Sequence, residues 1–322
     1  MEVIKISPRG YCHGVVTALN MVTKAITDES VPKPIHILGM VVHNTHLTKA
    51  FEEEGVITVD GIGKTRLELL DEINAGTVVF TAHGISPKVR EKAEAKGLHY
   101  IDASCTDVLK THGIMLDHLA RGYEVVYIGK QGHPETEGCL GLAEKGIHLI
   151  EHMDDIANLE LDHVDIIITN QTTLSSWDVS DIAEAIMAKY PTAEFIKEIC
   201  NATLIRQEAV AAMAKEADLT IVVGDPKSNN SKRLVQISEE HAKTPGLRIG
   251  SLAELDLEKL KGINKVAVTS GASTPTIMTK EVISFLENYD PTDPNTHDTA
   301  SKVNLDKILM KRQPSAAKCV IK

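Results

Sequence analysis

Three cysteines recur along this chain at a nearly fixed stride, and that recurrence restricts the fold more than any other feature. Cys12 and Cys105 lie 93 residues apart, and Cys105 and Cys200 lie 95 apart. Each sits between a strand-like run (residues 2–6, 99–102 and 194–199) and a run with apolar residues at helical spacing. Those helical positions are Val15, Leu19, Val22 and Ile26, then Val108, Met115, Leu116 and Leu119, then Ile205, Ala209, Ala212 and Met213. Two further strand signals keep the same stride. Runs ending in glycine finish at Gly39, Gly129 and Gly224, which are 27, 24 and 24 residues past their cysteines. Runs ending in threonine finish at Thr81, Thr169 and Thr269, at offsets of 69, 64 and 69. The chain therefore reads as three internal repeats of strand, cysteine, helix, strand, loop, helix, strand, loop.

Strands that alternate with helices imply an α/β fold whose mainly parallel sheets carry right-handed crossovers, with ligand loops beyond the carboxyl ends of the strands. The expected organisation is three small α/β repeats over residues 1–104, 105–199 and 200–289, arranged about a pseudo-threefold axis, with a C-terminal tail over 290–322. If those sheet edges face inward, the three cysteines meet at one centre. The tail begins "DPTDPNTH" and ends in Lys and Arg separated by apolar residues. It forms no fourth repeat, and the expectation is a segment packed across the domains with its last ten residues mobile.

Composition excludes several classes of function. A net charge of -11 and an aromatic content of 3% argue against a nucleic-acid partner, which needs basic patches and stacking rings. No apolar run approaches the roughly 20 residues that cross a bilayer, and Met1 leads straight into a strand-like run with no signal-peptide pattern. A cytoplasmic protein with no membrane partner is expected. Five cysteines, an odd count, do not suit a disulfide framework in such a compartment. Cys139 and Cys319 fall outside the repeat, and read as a buried apolar residue and a bystander in the tail.

The loops after the two strand types are polar. The first set carries His43 and Asn44, then His133 and Glu135, then Ser228, Asn229 and Asn230; the second carries His83, then Thr172 and Thr173, then Ser273 and Thr274. Taken singly, these are ordinary turn residues. Six such loops in step with three cysteines point instead to a site, because hydroxyls, amides, imidazoles and glycine-exposed N–H groups suit anionic oxygens. Three converging thiolates suit zinc, with His133 as a fourth ligand beside Cys12, Cys105 and Cys200, or an iron-sulfur cluster. A cubane held by only three cysteines leaves one iron open to a substrate oxygen.

The segments "PRGYCHG", "VVHN", "TAHGIS", "DASCTD", "HPETEG", "TNQTTLS", "EICNAT", "VVGDPKSNNSKRL" and "VTSGASTP" resemble, in order and spacing, the 4-hydroxy-3-methylbut-2-enyl diphosphate reductase family (IspH or LytB), over about residues 1–289. The resemblance implies an iron-sulfur oxidoreductase that removes the allylic hydroxyl of (E)-4-hydroxy-3-methylbut-2-enyl diphosphate. The products are isopentenyl and dimethylallyl diphosphate, in the last step of the non-mevalonate (methylerythritol phosphate) isoprenoid pathway. It implies a 4Fe-4S cluster on Cys12, Cys105 and Cys200, with the substrate hydroxyl at the one open iron. Glu135 is implied as the proton donor and Thr172 as its relay. His43, His83, His133, Ser228, Asn229, Asn230 and Ser273 are implied for binding the diphosphate. A ferredoxin or flavodoxin is the implied electron donor. Glu137 is expected to face away from Glu135, as alternate residues of an extended segment do.

The chain departs from the commoner pattern at Asn229, where many members carry Ser, and at Thr106, where Pro usually follows the second cysteine. Neither change removes a ligand or the acid. Quinolinate synthase-like enzymes also arrange three α/β repeats and three cysteines around an open-iron cluster, but "HPETEG" and "PKSNNS" look like the reductase. A non-catalytic iron-sulfur sensor is the reading from another class, and it differs in predicting that Glu135→Gln leaves behaviour intact.

Overall fold

The computed structural model describes residues 1–161, 165–303 and 308–309. In chain order, β1 (Glu2–Lys5) and α1 (His13–Thr27) are followed by β2 (Ile35–Leu38), α2 (Thr45–Glu53), β3 (Ile57–Val59), α3 (Arg66–Asp71), β4 (Thr77–Phe80), α4 (Pro87–Ala95) and β5 (His99–Asp102). Next come α5 (Thr106–Ala120), β6 (Glu124–Ile128), α6 (Pro134–Leu140), β7 (Ile147–Ile150), β8 (Ile166–Asn170), α7 (Ser176–Lys189) and β9 (Glu194–Phe195). The last set is α8 (Asn201–Met213), β10 (Leu219–Val223), α9 (Asn229–Glu240), β11 (Gly246–Ile249), β12 (Lys265–Ser270) and α10 (Thr276–Asn288).

The strands form three four-stranded sheets in the orders β3-β2-β4-β5, β7-β6-β8-β9 and β11-β10-β12-β1. Every strand pair is parallel. The inner strands β2, β4, β8 and β10 are buried along their whole length, as expected where helices cover both faces, so they read as continuous apolar runs rather than alternating ones.

One strand belongs to a different sheet from the one the repeat pattern suggests. Residues 2–6, expected to open the first repeat, pair with Lys265–Val268 of β12 and complete the third sheet. The edge strand of each sheet is the strand that precedes the next cysteine: β5 before Cys105, β9 before Cys200 and, closing the ring, β1 before Cys12. Spacing alone cannot say whether such a strand belongs to the sheet behind it or ahead of it.

The helix after each cysteine covers the next sheet. Val15, Ala18, Leu19 and Val22 of α1 pack with Ile35, Ile37 and Val79 of the first sheet. Met115 of α5 packs with Val125, Tyr127 and Ile167 of the second, and Val210 of α8 packs with Val222 and Ala267 of the third. Each cysteine thus marks the point where the chain crosses from one sheet to another, at the carboxyl end of an edge strand. Of the apolar positions read as helix faces, Leu116 and Ile205 are exposed, at 43% and 37%.

Among the described residues, no helix is long and apolar enough to cross a membrane. Beyond α10 the described residues include one short 3-10 helix, Pro294–Thr296, and Val303 packs against the cores of both the third and the first sheets. Ile308 and Leu309 join the core of the first, where the Ile308 carbonyl accepts from the Tyr11 hydroxyl. Cys319 and the last ten residues, read from sequence as a mobile end, lie outside the described residues.

Candidate active site

Each of the three cysteines is the N-cap of a helix: Cys12 of α1, Cys105 of α5 and Cys200 of α8. A residue there has extended backbone and lies beside the unpaired N–H groups and positive dipole end of the first turn, which favours a thiolate. The backbone N–H of each is held by an equivalent carbonyl, with Cys12 donating to Ala272, Cys105 to Ala82 and Cys200 to Thr172. Those carbonyls belong to equivalent turns, closed by N–H bonds from Gly84 to Thr81, Leu174 to Gln171 and Thr274 to Gly271. The matching turn positions are therefore Ala82, Thr172 and Ala272, followed by His83, Thr173 and Ser273. Only the second repeat places a hydroxyl at the first of these, and that hydroxyl is Thr172.

All three cysteines are unpaired and partly buried, and all line one cavity of about 100 Å³. The residues that the resemblance implies for catalysis and binding, Glu135, Thr172, His43, His83, His133, Ser228, Asn229, Asn230 and Ser273, line the same cavity, whereas Asn44 and Thr274 of the same loops do not line it. Burial pushes the Cys105 thiol up to about 11 and the Cys200 thiol up to about 12, so a cation at the centre is needed to hold them as thiolates at neutral pH.

The donor set fits a cluster better than a single zinc ion. Sulfurs on one tetrahedral zinc lie roughly 3.8 Å apart, whereas the three thiols are not gathered within 4.8 Å of one another. His133, the fourth ligand of the zinc alternative, groups with His43 and His83 instead. Gly14 lets Cys105 pack closely against α1, since a Cβ there would lie 2.5 Å from Cys105 Sγ.

Glu135 is 2% exposed. Its carboxylate accepts from the Thr172 N–H at 2.7 Å and from the Thr172 hydroxyl at 3.1 Å. Burial pushes the carboxyl up to about 7, against the opposing pull of the two Thr172 bonds, so it exchanges a proton around neutral pH and holds it below. "HPETEG" is not an extended loop: His133 caps α6, and Glu135 and Glu137 are its second and fourth residues. Glu137 does face away, but because residues two apart on a helix point about 200° apart. It binds Arg66 instead, through the backbone N–H at 2.7 Å and Nη1 at 3.1 Å.

Three imidazoles form the opposite wall. The ring centroids of His43 and His83 are 4.4 Å apart, and His133 lies 5.2 Å from His43 and 5.6 Å from His83. His133 Nδ1 accepts the Glu135 N–H, which leaves its proton on Nε2, 3.3 Å from His43 Nε2. Burial, with the charge of Arg66 next, lowers His43 to about 4. Burial and the neighbouring imidazole charge hold His83 and His133 well below the usual range. The wall is therefore neutral, with one N–H on each ring.

The third sheet supplies hydroxyls and an amide. The Ser228 hydroxyl accepts from the Ser231 N–H and hydroxyl, leaving its own proton free. Asn230 is 6% exposed, yet neither its Oδ1 nor its Nδ2 has a partner. A buried amide with nothing to bond is costly unless a ligand satisfies it. The Ser273 hydroxyl donates to the His43 carbonyl at 3.0 Å, so it also fixes the His43 loop. Thr173, His13 and Asp107 also line the cavity; the sequence placed Thr173 in a polar loop without giving it a role and did not point to the other two. The equivalence of Thr173 to His83 and Ser273 was the available signal for the first. For the pair His13 and Asp107, joined at 3.2 Å, the only hint was that they flank Cys12 and Cys105.

The profile of the LytB protein family matches residues 3–287, which takes in all three sheets and every residue of the cavity. The chain belongs to the LytB family. It is 58% identical over 311 residues to the 4-hydroxy-3-methylbut-2-enyl diphosphate reductase of Bacillus subtilis (strain 168), spanning 97% of this chain and 98% of that one. It is 57% identical to the protein of the same name from Shouchella clausii (strain KSM-K16), over 97% and 98% of the two chains. Among solved structures it is similar to the E-1-hydroxy-2-methyl-but-2-enyl-4-diphosphate reductase from Plasmodium falciparum, with TM-score 0.83 and 33% identity over 90% of this chain and 89% of that one. A second solved structure, that of (E)-4-hydroxy-3-methyl-but-2-enyl diphosphate reductase, the terminal enzyme of the non-mevalonate pathway, gives a TM-score of 0.63 and 30% identity over 90% of this chain and 100% of that one.

Proposed function

We propose that this chain is a 4-hydroxy-3-methylbut-2-enyl diphosphate reductase that works with a 4Fe-4S cluster held by Cys12, Cys105 and Cys200. Two electrons and two protons enter, the allylic C–O bond breaks, and water leaves with isopentenyl or dimethylallyl diphosphate as product. When bound, the cluster supplies the electrons and a Lewis-acidic iron beside the leaving oxygen.

The chain's own residues do the rest. Hydroxide is a poor leaving group, and Glu135 holds a proton for it in a buried pocket, which general acid catalysis rewards by roughly a hundredfold to ten-thousandfold. Thr172 orients that carboxyl with two bonds. His43, His83 and His133 offer neutral N–H groups to the diphosphate, and an arriving anion raises their proton affinity and can draw protons onto them. Ser228 and Asn230 offer the free hydroxyl proton and the unpartnered amide, with Asn229 and Ser273 beside them. The buried, proton-bearing Glu135 in a cavity shared with three free thiols carries this reading.

The test is anaerobic turnover of the allylic diphosphate by cluster-loaded protein with a reduced low-potential donor, such as ferredoxin or flavodoxin. Wild type should form both five-carbon products, and Glu135→Gln should lose at least a hundredfold in rate while keeping its iron. Equal rates in the two proteins would contradict the role given to Glu135.

A further inference from the structure

Arg66 is charged, is 8% exposed and is not among the residues that line the thiol cavity. It opens α3 in the first unit, where Thr65 and Glu68 fix its backbone with a reciprocal cap. Its Nε is buried without a partner, and its backbone N–H and Nη1 grip both carboxylate oxygens of Glu137 in the second unit. The guanidinium also packs against Gly39, whose φ is +88°, and a Cβ there would lie 3.3 Å from Nη2. Gly39 is four residues before His43, and Glu137 is four residues after His133. The Arg66–Glu137 contact therefore bridges the two loops that bring His43 and His133 together.

We propose that Arg66, locked by Glu137, is a positioning residue for the anion seat, fixing the separation of His43 and His133 across the boundary between the first and second units. The proposal rests on the diphosphate reading above. Glu135 is held separately, by Thr172 of its own unit, so loosening the latch disturbs the seat more than the acid. The field of the guanidinium acts in the same place, since its charge lowers the proton affinity of all three histidines.

The test compares wild type with Arg66→Gln, Arg66→Lys and the double variant Arg66→Gln/Glu137→Gln, each folded and cluster-loaded. It measures KM, kcat and the Kd of inorganic diphosphate by calorimetry. Arg66→Gln should raise KM and Kd about tenfold while kcat changes less than about threefold, since small misplacements of binding groups weaken binding steeply. Arg66→Lys should recover part of the affinity. The double variant, which leaves no half-buried unpaired carboxylate, should keep its fold and still bind diphosphate weakly. Folded variants whose Kd and KM match wild type, or whose only defects are in melting temperature and kcat, would overturn the proposal. A wild type that binds diphosphate but turns nothing over would defeat the functional reading, and the Kd values would still decide this one. A wild type that binds no diphosphate would overturn both.

Discussion

At the residue scale, the chemistry turns on two glutamates two positions apart. Glu135 faces the buried thiol cavity and Glu137 faces a guanidinium, and this difference separates the proposed proton donor from a structural anion. The Glu135 carboxyl is raised from 4.5 to about 7 by burial, so it carries its proton below about pH 7 and loses it above. The rate of the protonation-dependent step should fall as pH rises through about 7, and a kcat profile flat to pH 9 would contradict this. Stability follows the same sign. A raised carboxyl favours the folded state fully below about pH 4.5, and the benefit is lost as pH rises through about 7. Glu135→Gln should therefore melt higher than wild type at pH 8, by a few degrees, with the difference shrinking toward pH 5, as thermal unfolding at the two pH values would show. The sequence pointed to Glu135 as the proposed acid through its motif. It did not show that a helix, rather than an extended loop, parts the two carboxylates, because a helix of only seven residues after its His133 cap has too little periodicity to announce itself.

At the element scale, the design is a helix N-terminus repeated three times. Strand, cysteine cap and helix recur with a stride visible in the bare sequence, because the same crossover from one sheet to the next must be built each time. The glycines that close the centre were less legible, since their role depends on a neighbour about ninety residues away. Gly14 is the clearest case, as a Cβ there would meet Cys105 Sγ at 2.5 Å. Gly14→Ala should keep the fold and lose most of its bound iron and sulfide, as measured by metal analysis beside circular dichroism. Full iron content in that variant would show that the thiols can shift freely, contrary to the packing described.

At the scale of the whole molecule, three sheets are joined in a ring, each finishing on the strand that leads to the next unit's cysteine. Equal spacing revealed the repeats but not the closure, because β1 precedes every other element and only its pairing partner in space, β12, shows where it belongs. Ile4→Pro tests this, since Glu2 and Ile6 on either side of it donate to the third unit and proline removes the donor between them. Amide exchange should quicken in β12 and β10 and stay slow in β2 and β4; the reverse pattern would refute the closure. The ring also explains how thiols so distant in sequence reach one cavity beside three histidines and an unpartnered Asn230.

The most direct measurement on that centre is iron and sulfide analysis of anaerobically purified protein, followed by spectroscopy as (E)-4-hydroxy-3-methylbut-2-enyl diphosphate is added. About four irons and four sulfides per chain, with a cluster spectrum that changes on adding the diphosphate, is the predicted result. A protein without a cluster, or a spectrum indifferent to that ligand, would contradict the account.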